Sequence, residues 1–152
     1  MFSLPHVTNS IIKRANDTDV PLTQMKLQKL LYFFYKSYLQ RTGQPLFSER
    51  FEPWQYGPVL SDVYEAFRKY RGNPIKSYYP DPDGSSNYVS GMPGGDFQCS
   101  LDDTWTKYAQ YSGLQLSNFT HRENGAWHNA VNKNAHVLSD MDIQNEPDIE
   151  VC

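Results

Sequence analysis

The sequence predicts a single compact, mainly α domain built around a central helix at about 23–42, with a small β element or hairpin. Three observations carry that expectation. One long run repeats its apolar residues with helical period, its two ends are punctuated by capping residues, and Pro- and Gly-rich turns break up the rest.

The central helix is read from Leu27, Leu30, Leu31, Phe34, Tyr38 and Leu39, which share one face at a period of 3.6. Thr23 stands where an N-cap belongs and Gly43 where a left-handed residue ends a helix. Lys26, Lys29, Lys36 and Arg41 fall mostly on the other faces. An earlier helix is expected from about Pro5 to Asn16, with Val7, Ile11, Ile12 and Ala15 inward. FSERFEPWQYGP follows, and Pro53 forbids a central strand position, so it reads as a short edge strand or an ordered extended segment. Val59, Val63, Phe67 and Tyr70 mark a third helix.

Residues 74–100 read as a variable hairpin or loop insertion, with Ile75–Tyr79 pairing Asn87–Ser90. Ser100 with Asp103 suggests the cap of a fourth helix whose inward face is Leu101, Trp105, Tyr108 and Ala109. Thr120-His121-Arg122-Glu123 fits a capping box opening a helix through Ala126, Trp127, Ala130 and Val131. Ser139 starts one more turn, and the acidic tail 145–152 is expected to fray.

Composition narrows the function. The chain has 152 residues, a formal charge of −3 and an aromatic fraction of 14%, with 11 Tyr, 8 Phe and 3 Trp. Rings bury large areas and offset the modest hydrophobic fraction of 39%. The net charge argues against general nucleic-acid binding, since phosphate contacts need Lys and Arg in excess. Cys99 and Cys152 form neither a disulfide framework nor a metal spacing. No signal peptide and no apolar run of roughly 20 residues is seen, so a cytoplasmic protein without a membrane partner is expected.

Chemistry-bearing motifs are scarce. No phosphate loop, dinucleotide fingerprint, nucleophile elbow or zinc-protease motif occurs, and no cofactor is implied. His121, Glu123 and His128 can be drawn as a metal-dependent hydrolase site, but Glu123 is already occupied as a cap and a third ligand is missing. The reading is therefore a binding module and not an enzyme. Trp54, Trp105 and Trp127 are assigned to the core, while Tyr56 and Tyr64 are left open between core and binding surface. Lys26, Lys29, Arg68, Lys69 and Arg71 are read as solvated helix surface.

LTQMKLQKLLYFFYKSYLQRTGQPLF, FEPWQYGPVLSDVYEAFRKY and LSNFTHRENGAW, taken in order, resemble the Panacea domain family of SocA-like antitoxins and GepA-like prophage proteins. The resemblance covers about Ile11 to Val131 and departs at Ala126, where the family commonly has Pro before Trp. It implies a mainly α domain with a small β element. It further implies an antitoxin that neutralises a cognate toxin by direct contact, or an adaptor delivering it to a Clp-type protease. A prophage protein binding a host defence protein is the alternative. The resemblance names neither the partner nor the oligomeric state. Lys26, Gln28, Lys29, Tyr32, Trp54, Tyr56, Tyr64, Thr120, His121, Glu123 and Trp127 are its candidate polar network or interface. Within that set, Lys26 or Lys29, Tyr56 and His121 with Glu123 are expected to meet and brace the central helix against the W-x-Y-G-P segment. Partner choice is expected to lie in 74–100.

Overall fold

Helix α2, Gln24–Thr42, is the axis around which the other elements pack. The hydroxyl of its N-cap Thr23 accepts from the Lys26 amide at 3.3 Å, and Gly43, at φ 72°, returns its N–H to Leu39 O. The computed structural model describes residues 1–148. The remaining helices are α1 (Leu4–Asp17), α3 (Ser61–Phe67, continued by a 3₁₀ turn at Arg68–Tyr70), α4 (Asp96–Tyr108), α5 (Gly113–Thr120), α6 (Ala126–Asn132) and α7 (Asp140–Asn145). Strands β1 (Glu52–Trp54) and β2 (Gly57–Val59) form an antiparallel hairpin in which Pro53 faces Pro58. The fold is mainly α, and no described helix is long and apolar enough to cross a membrane.

The expected core positions of α2 are buried, except Tyr38, which is half-buried against the core. Burial also runs right round the helix and takes in Lys36 and the two lysines expected on a solvated surface, Lys26 and Lys29. The reason is that α1, α3, α4, α5, α7 and β2 all contact α2, leaving no wet face over most of its length. Its neighbours supply aromatic packing: Phe33 stacks on Tyr108 at 4.0 Å, and Tyr32 and Tyr35 meet Phe51 edge-on at 5.3 and 5.5 Å.

Several boundaries differ from expectation. The 75–79 and 87–90 stretches do not pair as a hairpin. Instead, the buried Asn9 side chain binds both ways to Tyr79 (N–H at 2.7 Å, C=O at 2.9 Å) and donates to Asn87 O at 2.8 Å. Ser10 does the same with both backbone groups of Val89. A side chain of α1 thus replaces the strand partner, and the segment is clipped down along much of its path.

Helix α4 starts four residues before Ser100, which is buried inside it. The capping box of this region is Ser112 with Gln115, at the start of α5. Thr120 ends α5 and turns its hydroxyl back to Ser117 O at 2.6 Å, so Thr120–Glu123 caps nothing. The tail does not fray from 145 onward: Glu146 is buried, and only 149–152, with Cys152, lie outside the described residues. Trp54, Trp105 and Trp127 are only half-buried: Trp105 and Trp127 pack against the core from its margin, and Trp54 packs on Tyr64.

Candidate functional site

The polar motif residues of α2 are spent on holding other segments. Gln28 acts as a surrogate strand: its amide accepts from Leu60 N at 2.9 Å and donates to Leu60 O at 3.1 Å. Lys29 Nζ donates to Pro58 O at 2.8 Å, and burial alone pushes its pKa from 10.5 down to about 7. Lys26 turns the other way and donates to Ala109 O, a carbonyl at the C-terminal end of α4, at 2.5 Å. That end of a helix carries partial negative charge and welcomes a cation. Burial lowers the Lys26 pKa as well.

Gly57 makes the junction possible. Its φ of +114° suits only glycine, and a Cβ there would stand 2.5 Å from the Thr120 hydroxyl and 2.8 Å from Lys29 Cε. Ser117 donates to the carbonyl of Tyr56 beside it. Of the residues expected to meet, Lys29 reaches the main chain of 56–58, where Thr120, outside that expected set, also stands. The meeting does not include Lys26, whose amine lies on α4, or Glu123, which is exposed.

His121 stacks on Trp127 at 4.1 Å, and Trp127 donates its indole N–H to Trp54 O at 2.7 Å. Burial, and then the Lys29 ammonium, hold the His121 pKa below 6.5. The neutral imidazole is thus favoured at pH 7. Among the described residues no three His, Cys, Asp or Glu side chains converge as a metal would need. His128 pairs with Asn132 at 3.3 Å on its own helix.

A second polar cluster was not foreseen. Tyr32 donates its hydroxyl to Glu146 Oε1 at 2.9 Å, and Ala126 N–H donates to the same oxygen at 2.9 Å. Glu146 Oε2 lies 3.4 Å from Lys36 Nζ and 3.8 Å from Arg122. Lys36 also donates to Pro147 O at 3.1 Å, and burial lowers its pKa despite the carboxylate beside it. Gly125 permits this approach, since a Cβ there would come within 2.8 Å of Glu146 Oε1. The N–H that a Pro at 126 would lack is the one that binds Glu146.

Outside these clusters lies an open groove of about 1210 Å³. Its walls are the first turns of α2 and α5, the hairpin, Tyr64 of α3 and the Arg68–Gly72 turn. Trp54 packs against Tyr64 at 4.9 Å along one wall, and Tyr56 is 53% exposed. Arg68, Lys69 and Arg71 are exposed at its rim, as a solvated surface requires. Lys29 reaches the groove from below.

The family model described as antitoxin SocA-like, Panacea domain, matches residues 27–128. Antitoxin SocA of Caulobacter vibrioides (strain NA1000 / CB15N) is 41% identical over 61 residues, 40% of this chain and 32% of that protein. The matched part thus spans about a third of the length of that curated relative. No solved structure matches the chain. The family match runs from the middle of the first α2 turns to α6 and takes in the Lys29–Gly57–Thr120 junction and the Trp127 indole. The chain belongs to the antitoxin SocA-like, Panacea domain family.

Proposed function

We propose that this chain is an antitoxin that binds a toxin protein and neutralises it by direct contact. One observation carries the reading: the polar motif residues of α2 are consumed in tying the chain to itself, while a large groove with the exposed Tyr56 on its wall stays open. Such a molecule is built to present a surface, and its family and its similarity to Antitoxin SocA supply the kind of partner. The partner is a protein, and the contact occludes the toxin without chemistry by this chain.

The test is co-expression with the product of each adjacent reading frame. A frame whose expression arrests growth, and whose arrest is relieved by this chain with stoichiometric co-purification, supports the proposal. Relief accompanied by disappearance of the toxin in a Clp-proficient host, and lost in a Clp-deficient one, would point to delivery for degradation instead. Harmless neighbours, with capture of a host defence protein, would favour the prophage alternative.

A further inference from the structure

We infer that the groove between the start of α2, the hairpin and the Arg68–Arg71 turn is the partner-binding surface. Its occupant is an acidic protein segment that carries an aromatic or aliphatic anchor. The inference rests on the protein-binding reading above and gives it a location, within the motif-bearing segments and outside 74–100.

Apolar groups line much of the groove: Trp54 lies against Tyr64, Met25 and the buried Val59 line the interior, and Tyr56 and Leu114 are 53% and 59% exposed. Large rings next to Arg side chains are the composition of binding hot spots. Charge then selects the occupant. The rim carries three exposed cations, Arg68, Lys69 and Arg71, and among the described residues no carboxylate lines the groove; the amine of Lys29 is buried and already held by Pro58 O. The first turns of α2 and α5 open on the same space and add the positive ends of two helices.

This cationic site lies on a chain whose net charge is −3. Arg68 has a carboxylate neighbour, Glu65, at 3.4 Å, but both are well exposed and such pairs exchange readily. The other large depression, about 600 Å³ between α2 and α4, sets Lys36, Arg41 and Lys107 against Asp102, Asp103 and Asp148. Its charges are balanced, with Arg41 on Asp103 at 2.5 Å, so it selects no charged partner. A nucleic-acid strand would call for cations strung along a track. Here Arg68, Lys69 and Arg71 share a single turn beside aromatic and apolar side chains, which fits a peptide.

The test pans a phage-displayed random dodecapeptide library against the full chain and measures enriched, labelled peptides by anisotropy. Three variants at exposed or half-buried positions are compared: Arg68→Glu/Arg71→Glu, Leu114→Asp, and Lys107→Glu as a control on the other depression. Enriched peptides should combine Asp or Glu with Trp, Phe, Leu or Ile. They should lose about tenfold or more in affinity with the first two variants and nothing with the third. Absence of enrichment, peptides that bind both groove variants unchanged, or tighter binding of oligo-dT than of any peptide overturns the inference. In the co-expression assay, rescue by wild type and by both groove variants alike overturns the groove and leaves the antitoxin reading intact. Peptide binding at the groove without any rescue by wild type does the reverse.

Discussion

The hydroxyl of Tyr32 and the carboxylate of Glu146 meet at 2.9 Å across 114 positions of chain, joining the middle of α2 to the segment that follows α7. Glu146 is the centre of this buried set, since Tyr32, Ala126, Lys36 and Arg122 all point to it. Tyr32→Phe should cost about 1.5–3 kcal/mol, the range for a hydrogen bond to a charged group. Glu146→Ala should cost more, about 3–5 kcal/mol, because the buried Lys36 then loses its counter-charge. Urea unfolding midpoints decide it, and an Ala variant as stable as wild type would show that the cluster does not hold the C-terminal segment.

Gly57→Ala should destabilise the fold by about 2–4 kcal/mol. The substitution meets two independent penalties, a φ of +114° and a clash with Thr120 and Lys29. Gly43→Ala makes the comparison: its φ of +72° is also left-handed, but nothing lies within 4 Å. The Gly57 variant should therefore be the worse of the two in thermal unfolding. Equal midpoints would rule out a tight junction.

Stability should rise with pH between about 7 and 9.5. Folding lowers the Lys29 pKa from 10.5 to about 7, so within that window the unfolded chain holds a proton that the folded chain has released. Stability then increases by up to about 1.4 kcal/mol per pH unit for one such group, and is lost as pH falls toward 7. Lys26 and Lys36 are shifted the same way and add to the slope. Tyr32, Tyr35 and Tyr108 are raised above 10.0 and oppose it at higher pH, which closes the window. Lys29→Met should flatten the profile; urea titrations at pH 7 and 9.5 would expose an unchanged slope.

Asn9→Ala should release residues 78–90 before it unfolds the protein. Three hydrogen bonds from one buried side chain hold Tyr79 and Asn87, and no strand ladder backs them up. Trypsin should cut faster after the exposed Lys76, and amide exchange should quicken over 78–90 while α2 stays protected. Uniform acceleration across the chain would mean that Asn9 supports the core instead.

Local signals were readable where the physics is local. Thr23 and Gly43 bound α2, Ser139 caps α7 and the α2 apolar stripe is core, because a cap or a period involves neighbours in sequence. Local signals also misled: Ser100-x-x-Asp103 and Thr120-x-x-Glu123 have capping spacing, but burial of Ser100 and Thr120 sets the helix phase there. The burial of the α2 lysines is not legible, because a polarity pattern says which faces differ, not how many neighbours will enclose them. Their acceptors lie 29, 83 and 111 residues away. Glu146 left no trace for the same reason. Of the candidate site, the motif strings were legible as a set, whereas the groove emerges only when four separate segments are folded together.

Lys26, Lys29 and Lys36 each deliver their ammonium to a peptide oxygen, on Ala109, Pro58 and Pro147. Every residue type carries that oxygen. A fastening of this kind grips the path of the chain and is blind to its lettering. At the three positions that supply the oxygen, 58, 109 and 147, the bond itself does not depend on the side chain. Such a scaffold can be fitted with a different outer surface for each new target while its frame keeps the same joints.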